Sequence, residues 1–470
     1  MAATFPGTPV TSGLRYPQDY SISNLTLLTP TNTWDVKNAM VELSYHEDLF
    51  NNTASGYLML TESTNYVELM QLNGNEFLRM TFSTTGQPGT EIDKLFRVYK
   101  MGPRRQENNM YTMSYALYFC SEEMMLNEQY KVCKSYPNQE IYKNIVDILQ
   151  NEMLVDPSKI NYIEKTYGSY DFVIPTLKPF DAINFMSVYA RTASGGIGSD
   201  MIFYEDKYGF NFRSLQSLMT NPIYHKYTYN PKNTDTSNLN SDQFNILTYE
   251  ILNSYDTLAG VNSGIFANQL ISADILTRTR TVTNFDYGSY QKNPASVQLN
   301  PFTITNQYTN RKGDQLNQSK QAVLKLIFSN YNETNSPYIK EASSATAGNS
   351  TVVNTNHGAI AHNIYAETYV PYRTAQLALA NYTRIKVSVP GDSNLTVGAT
   401  VNFALTSTNP LSHTPDAFYS GNYLVTAVRH LINDRYITIL ELCKDSVPTP
   451  YSSPDSTSTI WKNSAKGIFK

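Results

Sequence analysis

The chain has 470 residues, a formal net charge of −4, 41% hydrophobic residues and only 16% charged residues, with 36 tyrosines. The length calls for more than one core, and the acidic balance (pI about 5.9) excludes an electrostatic grip on nucleic acid. Few charges with abundant Tyr, Asn, Thr and Ser suit either large hydrogen-bonded interfaces or a Tyr- and Thr-rich β-sheet protein.

The opening "MAATFPGTPVTSGLRYPQ" shows no basic and apolar leader pattern, and no run reaches the roughly 18–20 apolar residues of a membrane span. From residue 38 to 120 the sequence predicts antiparallel strands. "AMVELSYHEDLF" and "GYLMLTES" are separated by the turn-forming "NNTAS", then come "EFLRMTFST" and "LFRVYKM". "NMYTMSYALYFCS" places Tyr111, Met113, Tyr115, Leu117 and Phe119 on one face at period two. A short helix is expected at "TNYVELMQL". "NQEIYKNIVDILQNEML" carries Ile141, Ile145, Ile148 and Leu149 at helical spacing, with Pro137 and Asn138 as its expected start. "KPFDAINFMSVYARTA" predicts a second helix with Pro179 in its first turn and Ile183, Met186 and Ala190 along one face. "MIFYEDKYGFNFRSL" predicts a hairpin turning through Asp206–Gly209.

Strands resume in "IYHKYTY" and "FNILTYEILNSY". "GIFANQLISADILTRTRTV" is strand-like, "DQLNQSKQAVLKLIFSNYN" predicts a helix, and "SSATAGNSTVVNTNHG" predicts a mobile polar loop. "YRTAQLALANYT" predicts a short helix before the strands of "RIKVSVPGDSNLTVGATVNFAL" and "GNYLVTAVRHLINDRYITILELCKDS". The tail "PTPYSSPDSTSTIWKNSAKGIFK" is a Pro/Ser linker with an apolar tip at Ile460 and Trp461, either mobile or docked on a neighbouring subunit.

The expected fold class is mainly β with α/β insertions. It comprises a first small antiparallel β-barrel over 1–120, a mixed α/β domain over 121–215 and a second barrel split into 216–256 and 372–446. An inserted unit covers 257–371 and a tail covers 447–470.

The search for chemistry assigns no catalytic, cofactor-binding or metal-ligating residue and no cofactor. His357 and His362 are five apart, which misses the i, i+4 spacing of a helical zinc pair, and no third ligand accompanies them. "ASGGIGSD" (Ala193–Asp200) follows a helix, whereas phosphate-cradling glycine loops precede one. Pro103–Arg105 reads as a solvated hairpin loop, with an interface anchor as the alternative. Cys120, Cys133 and Cys443 are odd in number and lack a CxxC, which predicts reduced thiols in a cytosolically made protein. Separated carboxylates are too common to mark acid/base chemistry.

One stretch carries a resemblance. "VSVPGDSNLTVGATVNF" supplies Val389, Pro390, Gly391, Leu395 and Gly398. The following "SGNYLVTAVRHLINDRYITILELCKDS" supplies Ser420, Gly421, Tyr423, Leu424, Val425, Val428, His430, Tyr436, Thr438, Leu440, Glu441, Leu442 and Asp445. This pattern resembles the baseplate hub proteins of contractile-tailed phages of the T-even type, and the hub half of type VI secretion spike proteins. "LFRVYKMGPRRQ", "YDFVIPTLKPFDAINFMSVYA" and "SGIFANQLISADILTRT" follow in the family's order, so the likeness covers most of 35–446.

The resemblance implies a non-enzymatic homotrimer that adapts a hexameric tail tube to a trimeric spike and encloses part of a DNA passage. Its implied partners are the spike protein, which can carry a lysozyme domain, tube or tube-initiator proteins, and wedge or peripheral hub proteins. DNA passes without specific binding, no membrane is involved, and the place is the virion, assembled in the host cytoplasm. Two other classes compete with this one. A receptor- or carbohydrate-binding virion protein would use the Tyr and Asn as sugar platforms, but there are only two tryptophans and no aromatic repeat. A peptidoglycan-degrading enzyme would need a motif for paired carboxylates, and none is present.

Within the motif, Gly391 and Gly398 are expected to provide positive φ or close backbone approach, and Pro390 to end a strand. Alternation puts Leu424, Thr426, Val428 and His430 on one face and Tyr423, Val425, Ala427 and Arg429 on the other. His430 is expected to be a satisfied hairpin-end residue, with Arg429 facing Glu441 across the strands.

Overall fold

The computed structural model describes residues 18–447 except 31, 87–88, 107–111, 194–197, 230–242, 255, 275–278, 287–299, 302–323, 329–365, 381, 406–415 and 417. In chain order come β1 (Tyr20–Leu28), β2 (Thr33–Asp35), β3 (Met40–Asp48), β4 (Ser55–Glu62), α1 (Tyr66–Met70), β5 (Phe77–Thr84), β6 (Ile92–Met101), β7 (Arg105–Gln106) and β8 (Met113–Cys120). A mixed unit follows with α2 (Glu122–Gln129), β9 (Val132–Glu140), α3 (Ile141–Asp147), β10 (Ile160–Ile163), β11 (Ser169–Leu177), α4 (Pro179–Ser187), β12 (Met201–Asp206), β13 (Gly209–Ser214) and α5 (Leu215–Met219). Then come β14 (Ile223–Tyr229), β15 (Thr248–Asn253), α6 (Thr257–Ser263), β16 (Ala267–Asp274), β17 (Thr279–Asp286), β18 (Asn300–Pro301), β19 (Leu324–Phe328) and α7 (Ala366–Leu379). β20 (Thr383–Pro390), β21 (Thr400–Leu405), β22 (Gly421–Ile432), β23 (Tyr436–Lys444) and β24 (Ser446–Val447) complete the order. No helix among the described residues is long and apolar enough to cross a membrane.

The chain is mainly β, and its largest feature is one 14-stranded sheet running β15-β20-β23-β22-β3-β4-β8-β6-β5-β1-β2, with β21 and β14 branching from β22 and β7 from β8. The sheet curls into two lobes, because period-two apolar side chains from distant strands must share a core. Leu25, Leu58, Phe82, Phe96 and Phe119 fill the first lobe. Val387, Val401, Tyr423 and Leu440 fill the second. Two separate closed barrels are not what the strand ladders draw among the described residues. β3 pairs with β22 and makes the sheet continuous, while β14 meets the chain before β15 through an isolated bridge at Thr228 and Asn245.

Ile141, Ile145, Phe180, Ile183 and Phe210 form the core of the mixed unit, so both expected helical stripes face inward. The Asp206–Gly209 hairpin turn is present as expected. Four expectations are corrected. The strands begin at Tyr20, upstream of residue 38, and β1 lies along β5. Pro137 and Asn138 do not start the helix; they lie in β9 where its register with β11 shifts, which spares Pro137 a ladder donor. Asn138 takes φ 45° there, and its amide donates to Asp171 at 2.7 Å. Leu324–Phe328, expected within a helix, is a strand because it pairs in parallel with β16. Such a short apolar run fits either element until tertiary pairing decides. Finally, α7 begins upstream of Tyr372 and runs through the expected boundary at 371/372. The polar loop at 343–358 and the tail beyond Val447 lie outside the described residues.

Candidate functional site at the junction of the sheet lobes

Among the described residues, the β3–β22 ladder is the one strand ladder that joins the lobes, from Ala427 opposite Asp48 to Ile432 opposite Leu43. Alternation gives each strand an outward and an inward row. Outward on β3 stand Glu42, Ser44 and His46, with Arg429 of β22 opposite His46. The Arg429 guanidinium donates from Nε to Ser44 Oγ at 2.9 Å and from Nη2 to the Tyr57 hydroxyl at 2.8 Å. It lies 3.7 Å from the Glu42 carboxylate, which also accepts from Tyr57. His46 Nε2 is 2.9 Å from Ser44 Oγ, within hydrogen-bonding distance. Burial, and then Arg429, push the His46 pKa down to about 4. Arg384 is likewise paired with Glu441, and Lys100 lies over the Tyr118 ring at 5.4 Å. On this outward face the Arg384 and Arg429 charges are thus each met by a carboxylate within the sheet.

The inward row meets a buried charged seam. Glu47 accepts from the Tyr45 hydroxyl at 2.9 Å, from Thr396 Oγ1, and from the Val397 amide at 3.2 Å, and burial pushes its pKa up. Glu205, at the end of β12, accepts from the Ala54 amide at 2.9 Å and from Ser121 Oγ. Lys94 Nζ lies 3.0 Å from Glu205 and donates to the Asp206 carbonyl at 2.8 Å. Burial opposes the Lys94 charge, yet Glu205 and Asp206 outweigh it and its pKa ends up raised. Burial, and then Glu47, push Asp206 up to about 7. Lys207 is pushed down to about 8 by burial, while its Nζ donates to the Ser393 carbonyl at 2.9 Å and to Asn394 Oδ1 at 3.1 Å. Asp392, raised by burial, accepts from the Tyr224 hydroxyl at 2.7 Å.

The Val389–Gly398 motif forms the loop that seals this seam. The Gly391 amide donates to the Tyr436 carbonyl at 2.9 Å, and a methyl at Gly391 would land on the Tyr436 ring. Gly398 has φ 79°. The two glycines thus meet the two expected needs, one each. Pro390 ends β20, as expected. Ser393 and Thr84 exchange hydrogen bonds, Thr84 N to Ser393 Oγ at 3.0 Å and Ser393 N to Thr84 Oγ1 at 2.9 Å, which stitches the loop onto the first lobe.

Two expectations for the hairpin are corrected. A bulge between Val425 and Ala427 shifts the register, so Tyr423, Leu424 and Val425 are all buried. Glu441 then lies opposite Ala427 and binds Arg384, whereas Arg429 lies opposite Ile439 and binds across to β3. His430 is fully buried rather than an ordinary hairpin-end residue. Its Nδ1 is 2.7 Å from the Tyr436 hydroxyl, its ring stacks on Tyr45 at 5.8 Å, and Nε2 has no partner among the described residues. Burial, and then Lys207, push its pKa down to about 3.

The other sequence candidates stay apart. His357 and His362 and the middle of Ala193–Asp200 lie outside the described residues; Asp200 itself accepts from Ser214 Oγ at 2.8 Å and the Gln216 amide at 2.8 Å, a structural role. Arg104 reaches Asn65 Oδ1 at 3.4 Å. The three cysteines are free, Cys120 and Cys443 buried and Cys133 exposed. No group of three metal-capable side chains occurs among the described residues. The seam residues Glu47, Lys94, Glu205, Asp206, Lys207 and Asp392 went unread in the sequence. The available signal was three consecutive charges, "EDK", inside the otherwise apolar "MIFYEDKYGFNF".

The architecture is similar to that of a solved phage tail protein. The 43 kDa tail protein of prophage MuSo2 from Shewanella oneidensis matches it with TM-score 0.52 at 8% identity, over 90% of this chain and 99% of that one. A tail protein from Neisseria meningitidis MC58 gives TM-score 0.49 at 9% identity, over 91% and 97% of the two chains. The E. coli c3393 protein, a type VI secretion component described as similar to T4 tail proteins, gives TM-score 0.41 at 9% identity, over 91% and 77%. No family model matches the sequence, and no curated protein does. The fold is thus one that a solved prophage tail protein shares, in line with the baseplate-hub resemblance carried by Val389–Asp445.

Proposed function

We propose that this chain is the structural hub of a contractile phage baseplate: a homotrimeric ring that joins a hexameric tail tube to a trimeric spike and encloses part of the DNA passage. The observation that carries the reading is the position of the Val389–Asp445 motif. It builds the junction that makes two sheet lobes one continuous sheet. A subunit with two such lobes offers six from three copies, which suits a partner of six-fold symmetry on one side and three-fold on the other. In this reading the lobes are the two tube-type barrel domains, 1–120 and 216–256 with 372–446. The mixed domain 121–215, the inserted unit 257–371 and the tail 447–470 serve outer contacts with wedge or peripheral hub proteins and with tube-initiator proteins. The chain acts in the virion after assembly in the host cytoplasm, and its work is mechanical rather than enzymatic.

The outward face of the continuous sheet lines the passage. Its Arg384 and Arg429 are tied to Glu441 and Glu42, so they do not offer the free cations that hold phosphates and make binding salt-dependent. The test is the native mass of the protein alone and mixed with its spike, where an assembly of three 53.1 kDa chains is expected. A chain that stays monomeric with the spike present refutes the proposal. Zymography and glycan-array binding of the isolated chain are expected to be blank.

A further inference from the structure

Glu205, Asp206 and Lys207 are consecutive, at the end of β12 and in its turn, and they reach both lobes. Glu205 holds the first lobe through the Ala54 amide, Ser121 and Lys94. Lys207 holds the second lobe's motif loop through the Ser393 carbonyl and Asn394. Asp206 sits between them, and its carboxylate closes the turn by accepting from the Tyr208 amide at 2.8 Å and the Gly209 amide at 3.0 Å, both on Oδ1. Close packing backs the turn, since a methyl at Gly209 would strike the Lys159 carbonyl.

We propose that the β12–β13 hairpin is a protonation-controlled clasp between the two sheet lobes: closed while Asp206 is neutral, and loosened when Asp206 ionises, freeing the lobes to change their mutual angle. This goes beyond the hub reading and does not depend on it. The charged and titratable groups around Asp206 set the sign. Glu47 and Tyr45 face it from β3 and Lys94 from β6, while Asp392 of the motif loop faces Lys207 and Tyr208 of the same hairpin. Glu205, Lys207, Tyr204 and Tyr208 lie on its own hairpin. Lys159, behind the turn, sends its amine away to Glu123, and His430 is held neutral at this depth. With Asp206 neutral, Glu47, Glu205 and Asp392 face Lys94 and Lys207. Its ionisation adds a further buried anion with no cation added, and the cost falls on the contacts that hold both lobes. Because the closed state holds the Asp206 proton more tightly than water does, closure is favoured at low pH and weakens as pH rises from about 4 through about 7.

Hydrogen exchange on the full chain, corrected for the intrinsic pH dependence of amide exchange, tests this. Segments holding the Ala54 and Val397 amides, which donate to Glu205 and Glu47, are expected to lose protection by roughly tenfold or more between pH 5 and pH 8. Asp206→Asn keeps the Oδ1 acceptor for the turn amides and is expected to show a flat profile. Wild-type protection that does not change, or an equal loss in Asp206→Asn, overturns the clasp. Should that variant fail to fold, the wild type still decides. A loss confined to the junction supports the proposal, and an equal loss in the α3 core segment 141–149 overturns it.

Discussion

Replacing His430 by Phe tests the inward face of the junction. His430 is 1% exposed, and burial with Lys207 nearby pushes its pKa from 6.5 down to about 3. The folded state therefore binds fewer protons than the unfolded chain between those values. The stability this group contributes is fully present above pH 6.5 and is lost as pH falls towards 3. At pH 5 the unfolded chain gains from protonation over 1.5 pH units, which works out to about 2 kcal/mol. At pH 4 the loss from this residue reaches about 3 kcal/mol. Phenylalanine keeps the ring that stacks on Tyr45 and removes the partnerless Nε2. It gives up the hydrogen bond to the Tyr436 hydroxyl, at a cost of about 1 kcal/mol at pH 7. Urea unfolding of both proteins at pH 7, 5 and 4 measures the difference. Wild type is expected to lose about 2 kcal/mol more than His430→Phe between pH 7 and pH 5. Equal acid slopes in the two proteins would refute the argument that this imidazole is held neutral.

Gly391→Ala forces a methyl into the Tyr436 ring, which is fully buried and edge-on to Phe82 at 5.9 Å. A cost of about 3 kcal/mol is expected in thermal or urea unfolding, against about 1 kcal/mol for Gly74→Ala, where φ is 92° and the space is open. Equal effects would show that the Tyr436 ring yields to the added methyl and that close approach at Gly391 costs little. Arg373→Met removes a buried guanidinium that donates to the carbonyls of Ser187 at 3.2 Å, of Ser199, and of Met201 at 3.2 Å. Unfolding is expected to become easier by about 3 kcal/mol as those acceptors lose their partner, and limited proteolysis is expected to cut the 257–371 region faster. Arg384→Ala, which breaks a half-exposed pair with Glu441, is expected to change stability by less than about 1 kcal/mol. A larger loss would mean that the outward face is stiffer than its exposure suggests.

Strong periodicity made much of the architecture legible. Tyr115, Leu117 and Phe119 alternate cleanly and all point into the first core. Ile141, Ile145, Ile148 and Leu149 keep helical spacing and all reach the core of the mixed unit. What failed were features set by partners distant in sequence. Leu324–Phe328 becomes a strand only because β16 lies beside it. The Arg429–Glu441 pairing failed because one bulge shifts everything beyond Val425, and period two cannot announce a bulge. The seam escaped for a similar reason. Glu47, Lys94 and Asp392 are separated by long stretches of chain and nothing local marks any of them as buried, and only Asp206 sits in a telling local context, the "EDK" charges.

The same physics explains why one short stretch gives the clearest signature in the sequence. A loop that must touch both lobes is constrained from both sides at once. Gly391 is fixed by the Tyr436 ring of the second lobe's hairpin, Ser393 by Thr84 of the first lobe, and Thr396 by Glu47 on the joining strand. Each contact leaves room for few side chains, so a short run of residues becomes distinctive without reacting with anything. The histidine, arginine, glutamate and aspartate of "GNYLVTAVRHLINDRYITILELCKDS" serve the same end. His430 faces the seam, Arg429 binds the outward row of β3, and Glu441 holds Arg384 on the neighbouring strand. These polar residues concentrate where the two lobes meet, so the chemistry of the signature is the chemistry of the junction.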